Sequence, residues 1–338
     1  MSKIRGQKSK GRKWPAIAIT MGDPAGIGPE VVLKALADEE VCSLCRPLVV
    51  GDMRVLEAAK ALAGVDPPLR AVSGFGEAHF TPSAVEVLDL GNCDPAQVPL
   101  GQISPIAGRA AVEAVERATE LALAGEVDAI VTAPLNKAAM QAAGYDYIGH
   151  TEILTELCHA PRVTTMLITG SLRVVHVTRH VPLAEVASLI TKERVLETIR
   201  LTHEGMCAWG MKRPRIGVAA LNPHGGESGL LGGEEIEEIG PAVEKAQAEG
   251  IEVQGPIPAD SIFFRAIRGK FDAVVAMYHD QGHIPVKTYG FEASVTVTLG
   301  LPIVRTSVDH GTAFDISGQG LADPTSMKEA IRLAVHLV

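Results

Sequence analysis

The residues Met277-Tyr278-His279-Asp280-Gln281-Gly282-His283-Ile284-Pro285-Val286-Lys287 crowd imidazoles, a carboxylate, an amide and an amine into eleven positions. They follow Ala273-Val274-Val275-Ala276, an apolar run that reads as a buried strand. Two similar junctions lie upstream. Gly217-Val218-Ala219-Ala220-Leu221 leads into Asn222-Pro223-His224-Gly225-Gly226-Glu227, and Val174-Val175-His176-Val177 leads into Thr178-Arg179-His180. In a parallel α/β sheet the carboxyl ends of strands are where ligands bind. Three apolar runs, each ending in a loop histidine, therefore suggest a metal site assembled from separate strand ends, with His180, His224 and His279 as ligands. Neutral imidazoles suit Zn²⁺, Co²⁺ or Ni²⁺, and three of them leave a coordination position open. Asp280 is placed to orient a ligand or to bind the metal itself.

Other segments carry groups suited to anions. Met21-Gly22-Asp23-Pro24-Ala25-Gly26-Ile27-Gly28-Pro29-Glu30 joins a first strand to a first helix. Its glycines permit tight turns and close backbone approach, and a helix N-terminus favours negative charge. It does not match G-x-G-x-x-G, so the doubly wound dinucleotide fingerprint is unsupported. Lys137, at a helix start where the dipole disfavours a cation, suggests an anion holder. Thr151 reads as an N-cap with His150 just outside the helix. Arg305 offers a planar fork suited to phosphate. The loop Leu299-Gly300-Leu301-Pro302 and the stretch Arg305 to Ile316 are dense in polar groups, and His310-Gly311-Thr312-Ala313 could wrap an adenine or ribose with backbone groups.

These residues need a scaffold. The chain has 338 residues, 46% apolar and 21% charged, with aromatics at only 4%, so its core is built from Ala, Val, Leu and Ile. Short apolar strands at 17–20, 48–51, 129–132, 216–220 and 273–276 alternate with helices expected over 29–37, 54–63, 107–124, 192–208, 233–249 and 326 to the end. Thr164–Thr169 and Arg173–Val177 flank a hairpin turn at Gly170-Ser171. The pattern predicts a largely parallel α/β sheet with some antiparallel pairing; residues 64–104 resist assignment. A net charge of −9 argues against a nucleic-acid partner, and no apolar run is long enough for a membrane span or signal segment. Lys3, Arg5, Lys8, Lys10, Arg12 and Lys13 read as a flexible basic extension over 1–15. Five scattered cysteines fit a reducing compartment, and the lone Cys42-x-x-Cys45 reads as apolar filling.

Together the segments at 21–30, 132–137, 149–152, 222–227, 277–287 and 299–316 resemble the 4-hydroxythreonine-4-phosphate dehydrogenase family of pyridoxal phosphate biosynthesis, from about residue 16 to the C-terminus. A more distant similarity is to isopropylmalate and isocitrate dehydrogenases. The resemblance implies two α/β/α domains, 16–135 plus 290–338 on the cofactor side and 136–289 on the metal and dimer side, with the active site in the cleft between them. It implies a cytoplasmic homodimer whose divalent metal (zinc, or cobalt, magnesium or manganese) is held by His180, His224 and His279, one ligand coming from the partner subunit. Substrate contacts would fall on His150, Thr151, Asp260, Lys287, Thr296 and Arg305, with Lys287, Asp260 and Asp280 acting in catalysis. Gly22, Asp23, Leu299, Gly300, His310, Gly311, Thr312 and Asp315 would hold NAD or NADP. The implied chemistry is metal-assisted, NAD(P)-linked oxidation of a four-carbon 4-phosphorylated hydroxy acid of the 4-hydroxy-L-threonine 4-phosphate type, with D-threonate or D-erythronate 4-phosphate as the alternative, and decarboxylation of the resulting 3-oxo acid. Thr296 stands where the family often carries Asn. The Gly282-His283-Ile284-Pro285 wording looks more like the subgroup acting on four-carbon sugar-acid phosphates such as threonate or erythronate 4-phosphate, whereas the biosynthetic enzymes more often have Leu-Pro there. Arg305 distinguishes the chain from a related subgroup that oxidises an aromatic cis-dihydrodiol. Outside the dehydrogenases, phosphate acetyltransferases share the broad architecture without a three-histidine site, and a non-catalytic metal or phosphate binder is a third reading.

Overall fold

The computed structural model describes residues 14–81 and 84–338. The basic positions read as a flexible extension lie outside the described residues up to Lys13. Trp14 and Pro15 already belong to the fold, since their carbonyls accept hydrogen bonds from Arg46 at 2.8 Å each.

The chain divides into two compact units, one running to Ala160 and resuming from Leu301 to Val338, the other Pro161–Gly300. The first begins with β1 (Ala16–Thr20), α1 (Gly28–Leu36), α2 (Glu39–Cys42), β2 (Arg46–Gly51), α3 (Met53–Ala63), β3 (Leu69–Val72) and β4 (Val85–Asp89). It continues through α4 (Pro105–Leu123), β5 (Ala129–Thr132), α5 (Lys137–Ala142) and α6 (His150–Leu157). The second holds β6 (Thr164–Thr169), β7 (Leu172–His176), α7 (Leu183–Leu189), α8 (Lys192–Ala208), β8 (Ile216–Ala219), α9 (Gly240–Ala248), β9 (Val253–Ile257), α10 (Ala259–Ile267), β10 (Ala273–Ala276), α11 (His279–Gly290) and β11 (Val295–Leu299). The chain then returns to the first unit with β12 (Val304–Val308) and α12 (Thr325–Leu337).

In the first unit the strand order is β3-β4-β2-β1-β5-β12, every pair parallel. All five residues of β1 are buried, which is what a parallel strand covered on both faces requires. Ala16, Ala18, Leu48, Val50 and Ile130 meet Val112, Val115, Ala118 and Leu121 of α4. In the second unit the order is β11-β6-β7-β10-β8-β9. The β6–β7 hairpin and the β11–β6 pair are antiparallel; β7, β10, β8 and β9 run parallel. Alternate residues of β8 and β10 supply two cores. Ile216, Val218, Val275 and Met277 pack with α8 and α9, while Ala219, Val274 and Ala276 pack with α10 and α11.

The unit boundaries fall later than 135 and 290. Helices α5 and α6 pack on α4 and stay with the first unit, and β11 pairs with β6 and stays with the second. Two readings are corrected. The helix expected over 233–249 opens as a wider π-type turn at Glu235–Ile239, which turns Glu235 inward to accept from the backbone N–H groups of Leu221 and Asn222. Arg305, read as the start of a polar stretch with no element assigned, lies in strand β12. Cys45 is buried with its thiol pushed up to about 12, which suits the structural role expected of the Cys42–Cys45 pair.

Glycine 108 lets α4 and α5 touch: a Cβ there would run into the backbone of Ala139 and Met140. Gly108→Val is expected to lower stability by about 1–3 kcal/mol through overpacking. Urea denaturation would check this, and an unchanged midpoint would mean that the two helices do not approach so closely.

Candidate active-site residues of the two units

In the second unit β7, β10 and β8 are neighbours, and the expected histidine segments leave their carboxyl ends. Side chains tie those ends together. The Thr178 backbone N–H and hydroxyl both donate to the Met277 carbonyl, at 3.1 and 2.8 Å. Gln281 accepts from the Met277 N–H at 2.7 Å and donates to the Ala220 carbonyl at 2.8 Å. His279 is the first residue of α11 rather than a loop residue, and its ring centroid lies 5.8 Å from that of His180. His279 Nδ1 meets Asp280 Oδ1 at 2.7 Å. A carboxylate only accepts, so Nδ1 is the donor of this pair, and Nε2 is the nitrogen left to face a ligand.

Two histidines not counted as ligands join this cluster. His176 ends β7 with 2% exposure, both ring nitrogens enclosed without a hydrogen-bond partner among the described residues. Burial, then the neighbouring His283 and His279, hold it well below the usual histidine range, so it is neutral. A histidine inside an apolar strand run was the available signal for it. His283 follows His279 by one helical turn, spacing that places the two on one face.

His224 makes none of these ring contacts. It opens five consecutive left-handed residues, His224 to Ser228, with φ between 43° and 77°. Such backbone costs of order 1–3 kcal/mol at each non-glycine position and persists where the surroundings over-determine it. Here buried Glu235 accepts from Leu221 and Asn222, and the Asn222 amide donates to Glu234 and Glu235. Neutral imidazoles with a fixed tautomer are the donor chemistry of a zinc-type ion. Among the described residues, however, no three His, Cys, Asp or Glu side chains of one chain are arranged to hold a metal.

The remaining candidates of this unit are dispersed. Asp260 is exposed in the first turn of α10. Lys287 lies two turns beyond His279, with Nζ 4.8 Å from the Phe291 ring centre. Thr296 is half-buried in β11. Leu299 is buried, its side chain against Gly205 of α8, so only its backbone could face a ligand. Gly300 takes φ 89° and a Cβ there would strike the Arg162 carbonyl.

In the first unit Arg305 is 4% exposed. Its Nε and Nη2 donate to Thr132 Oγ1 at 3.1 and 2.6 Å. Thr132 donates to Ser307 Oγ at 2.9 Å, and Ser307 donates to the Thr132 carbonyl at 3.0 Å. The register pairs Ser307 with Thr132 and leaves Arg305 two residues away on the same face. Burial pushes the guanidinium down to about 9, a site that gains from an anion. His150 is nearby: burial, then the Arg305 charge, hold it well below its usual range, and its Nε2 is enclosed without a partner among the described residues. The cap of α6 is Gly149, in extended backbone, so His150 opens the helix and Thr151 lies inside it. Sequence reading missed Ser307, whose contribution depends on strand register. Lys137 is exposed.

The expected cofactor segments of this unit come together. Ile27 N–H donates to the Thr312 carbonyl at 3.0 Å, Asn136 Nδ2 meets Thr312 Oγ1 at 3.3 Å, and Gly26 packs so closely on Thr312 that a Cβ would lie 2.8 Å from its Cβ. Gly22 takes φ 75° beneath the Pro134 carbonyl. Asp23 is fully buried; Oδ1 accepts from Ala25 N–H at 2.8 Å, Oδ2 has no partner among the described residues, and burial raises its pKa to about 6. His310 Nδ1 donates to the Gly311 carbonyl at 3.0 Å, while Gly311 and Asp315 are exposed. An apolar cavity of about 140 Å³ between Pro24, Pro29, Val55, Ala59 and Leu100 contains none of these candidates. It is smaller than the roughly 300 Å³ at which ligand pockets begin.

A buried arginine reaching Thr132 at the end of β5 in one unit and tied histidines at strand ends in the other mark a small-molecule enzyme of the α/β class. The model of the family described as pyridoxal phosphate biosynthetic protein PdxA matches residues 43–334, and the chain belongs to that family. It is 51% identical to the D-threonate 4-phosphate dehydrogenase of Cupriavidus necator, over 96% of this chain and 97% of that protein. A crystal structure of a 4-hydroxythreonine-4-phosphate dehydrogenase from Burkholderia phymatum is 50% identical, with a TM-score of 0.86 over 96% of this chain and 99% of that one. These relatives are dehydrogenases of a CH–OH group, and the chain is an oxidoreductase of that kind. The EutD phosphotransacetylase of Staphylococcus aureus, 13% identical with a TM-score of 0.52 over 94% of each chain, shares the fold alone. Among the described residues no helix is long and apolar enough to cross a membrane.

Asp23 carries a pH prediction. Its carboxyl moves from the ordinary 3.8 up to about 6 on folding. The ionised form is thus the less stable one in the fold. The cost is absent below about 4, grows through the interval and is complete above about 6, at roughly 3 kcal/mol. Asp23→Asn cannot ionise and should lack this fall. Urea midpoints of both proteins at about pH 4 and about pH 7 would diverge; parallel values would place Asp23 in a better solvated site.

Proposed function

We propose that the protein oxidises a four-carbon, 4-phosphorylated hydroxy acid with NAD or NADP and releases the carboxyl group as CO₂, with D-threonate 4-phosphate or D-erythronate 4-phosphate as the preferred substrate type. Buried Arg305, bonded to Thr132, which is itself tied to Ser307, and beside His150, carries this reading because a planar, permanently charged fork is the side chain suited to phosphate. The identity with the Cupriavidus necator enzyme favours the threonate type. 4-Hydroxy-L-threonine 4-phosphate, which differs at C2 by an amino group, is the second reading and is supported by the Burkholderia phymatum relative.

His180, His224 and His279 would hold a divalent ion, zinc or else cobalt, magnesium or manganese, which when bound polarises the substrate hydroxyl. The chain's own residues do the rest. Asp280 keeps the His279 proton on Nδ1. Asp260 and Lys287 are the candidates to move the hydroxyl proton or hold a carboxylate. Gly22, Asp23, Leu299, Gly300, His310, Gly311, Thr312 and Asp315 would contact the nicotinamide cofactor, a role supported for six of them by Thr312 joining the early turn to the late loop. Among the described residues one chain brings no three ligands together, and apolar side chains a few positions along the sequence from the three histidines stand exposed: Leu183 at 73%, Leu230 at 79%, Ile284 at 62%. A second copy of the chain would cover them and supply the missing ligand.

A panel of D-threonate, D-erythronate and 4-hydroxy-L-threonine 4-phosphates and their unphosphorylated forms, assayed by NAD⁺ and NADP⁺ reduction, tests the substrate class. Turnover is expected only with the phosphorylated acids, fastest with the sugar acids; equal turnover without phosphate would remove the role of Arg305. Arg305→Met should raise KM about 10- to 150-fold, the equivalent of about 1.5–3 kcal/mol for a charge-assisted bond.

With His180 and His279 neighbours in one chain and His224 apart from them, subunit sharing predicts that inactive His224→Ala and His279→Ala proteins regain activity when mixed and allowed to exchange. In each hybrid one site would carry both lesions and the other neither. Demonstrated exchange without recovery would assign all the ligands to one chain.

A further inference from the structure

The second unit contains a row of imidazoles running from its core to its surface. His176 is buried, His283 and His279 are half-buried, and His180 is exposed. The His176 and His283 ring centroids are 4.7 Å apart at 32°, and those of His283 and His279 are 3.6 Å apart at 12°. The second pair is therefore a face-to-face stack, whereas the His180 and His279 rings are 5.8 Å apart and tilted by 45°. Each ring in the stack is fixed at its rim. His283 Nδ1 donates to the His279 carbonyl at 3.1 Å, and His279 Nδ1 donates to Asp280 at 2.7 Å.

The backing is built in as well. A Cβ at position 282 would strike the His176 ring, so Gly282 is what admits that ring beside α11. An apolar residue at position 176 would fill the same place without enclosing two nitrogens that lack partners among the described residues. Gln281 fixes the first turn of α11 against the ends of β10 and β8, so the row cannot slide along the helix axis.

We propose that His283 is a positioning residue, whose ring, backed by His176 across Gly282, holds the His279 imidazole in the plane that presents Nε2 to a divalent ion. Asp280 sets the tautomer of His279 and His283 sets its rotation. An imidazole fixed in both respects loses less freedom on binding a metal than one that turns about its side-chain bonds. The inference rests on the reading of His279 as a metal ligand, so the test separates the two.

The full-length protein is stripped of metal and titrated with Co²⁺, whose visible absorption reports ligand geometry without turnover. His279→Ala should abolish tight binding; if it binds as the native protein does, the ligand reading falls and the positioning role with it. With His279 intact, His283→Leu, which removes the flat ring, should weaken Co²⁺ binding about tenfold or more and alter the absorption. His283→Phe, which keeps a flat ring without nitrogens, should restore affinity to within about threefold. Retained native affinity and spectrum in His283→Leu would overturn the proposal. So would a loss in His283→Phe equal to that in His283→Leu, since a lost nitrogen rather than a lost stack would then explain both. Far-ultraviolet circular dichroism and thermal melts of the metal-free variants confirm that folded proteins are being compared.

Discussion

The adjacency of β7, β10 and β8, and the side-chain bonds that lock their carboxyl ends, organise the second unit. Parallel strands do not by themselves align their ends; each could extend or fray by a residue. Thr178 and Gln281 remove that freedom by bonding to carbonyl and N–H groups at the ends of neighbouring strands. The Met277 N–H and Ala220 carbonyl that Gln281 occupies would cost about 1–3 kcal/mol each if buried unsatisfied. Satisfying them in this way also fixes where α11 begins and hence where His279 stands. Glu235 serves the segment after β8 in the same manner, holding five left-handed residues that would otherwise relax.

The first unit follows a different logic. Its polar groups are expensive where they stand: a guanidinium in a dry strand end, a neutralised histidine next to it, and a carboxyl whose ionised form burial disfavours. None of these is the lowest-energy choice for a folded chain alone. Perturbed groups of this sort cluster at functional sites. The cost is borne by a sheet buried on both faces, whose alanine- and valine-rich strands and long α4 provide stability independent of the site.

Much of this was legible in the sequence because it is local. The apolar runs at 129–132 and 273–276 are strands at those same residues, and the helix expected over 192–208 has those bounds. The strand-to-helix turn at 21–30 and the hairpin at Gly170 follow from glycine placement. The candidate residues after strand ends stood out because a polar cluster after an apolar run has few structural uses. The failures were non-local. Nothing near residue 305 announces that a Val-Arg-Thr-Ser-Val run will be a buried strand, since its burial comes from pairing with β5, distant in sequence. Strands β3 and β4 were unread because Leu69–Val72 is mostly half-buried and Val85–Asp89 ends exposed, which blurs any period.

His176 and His283 show the same limit within the site. Each sits in a segment singled out for its polar groups, yet neither was counted, because a lone histidine in a strand and another on a helix have no visible relation. Their relation is created by Gly282, which carries no chemistry and whose only contribution is the space it leaves. Composition shows which groups are present, and periodicity shows which face they occupy. Whether two such faces come within ring-stacking distance depends on what the intervening positions lack. A glycine beside a buried histidine is therefore a structural determinant of the histidine row as much as the imidazoles themselves.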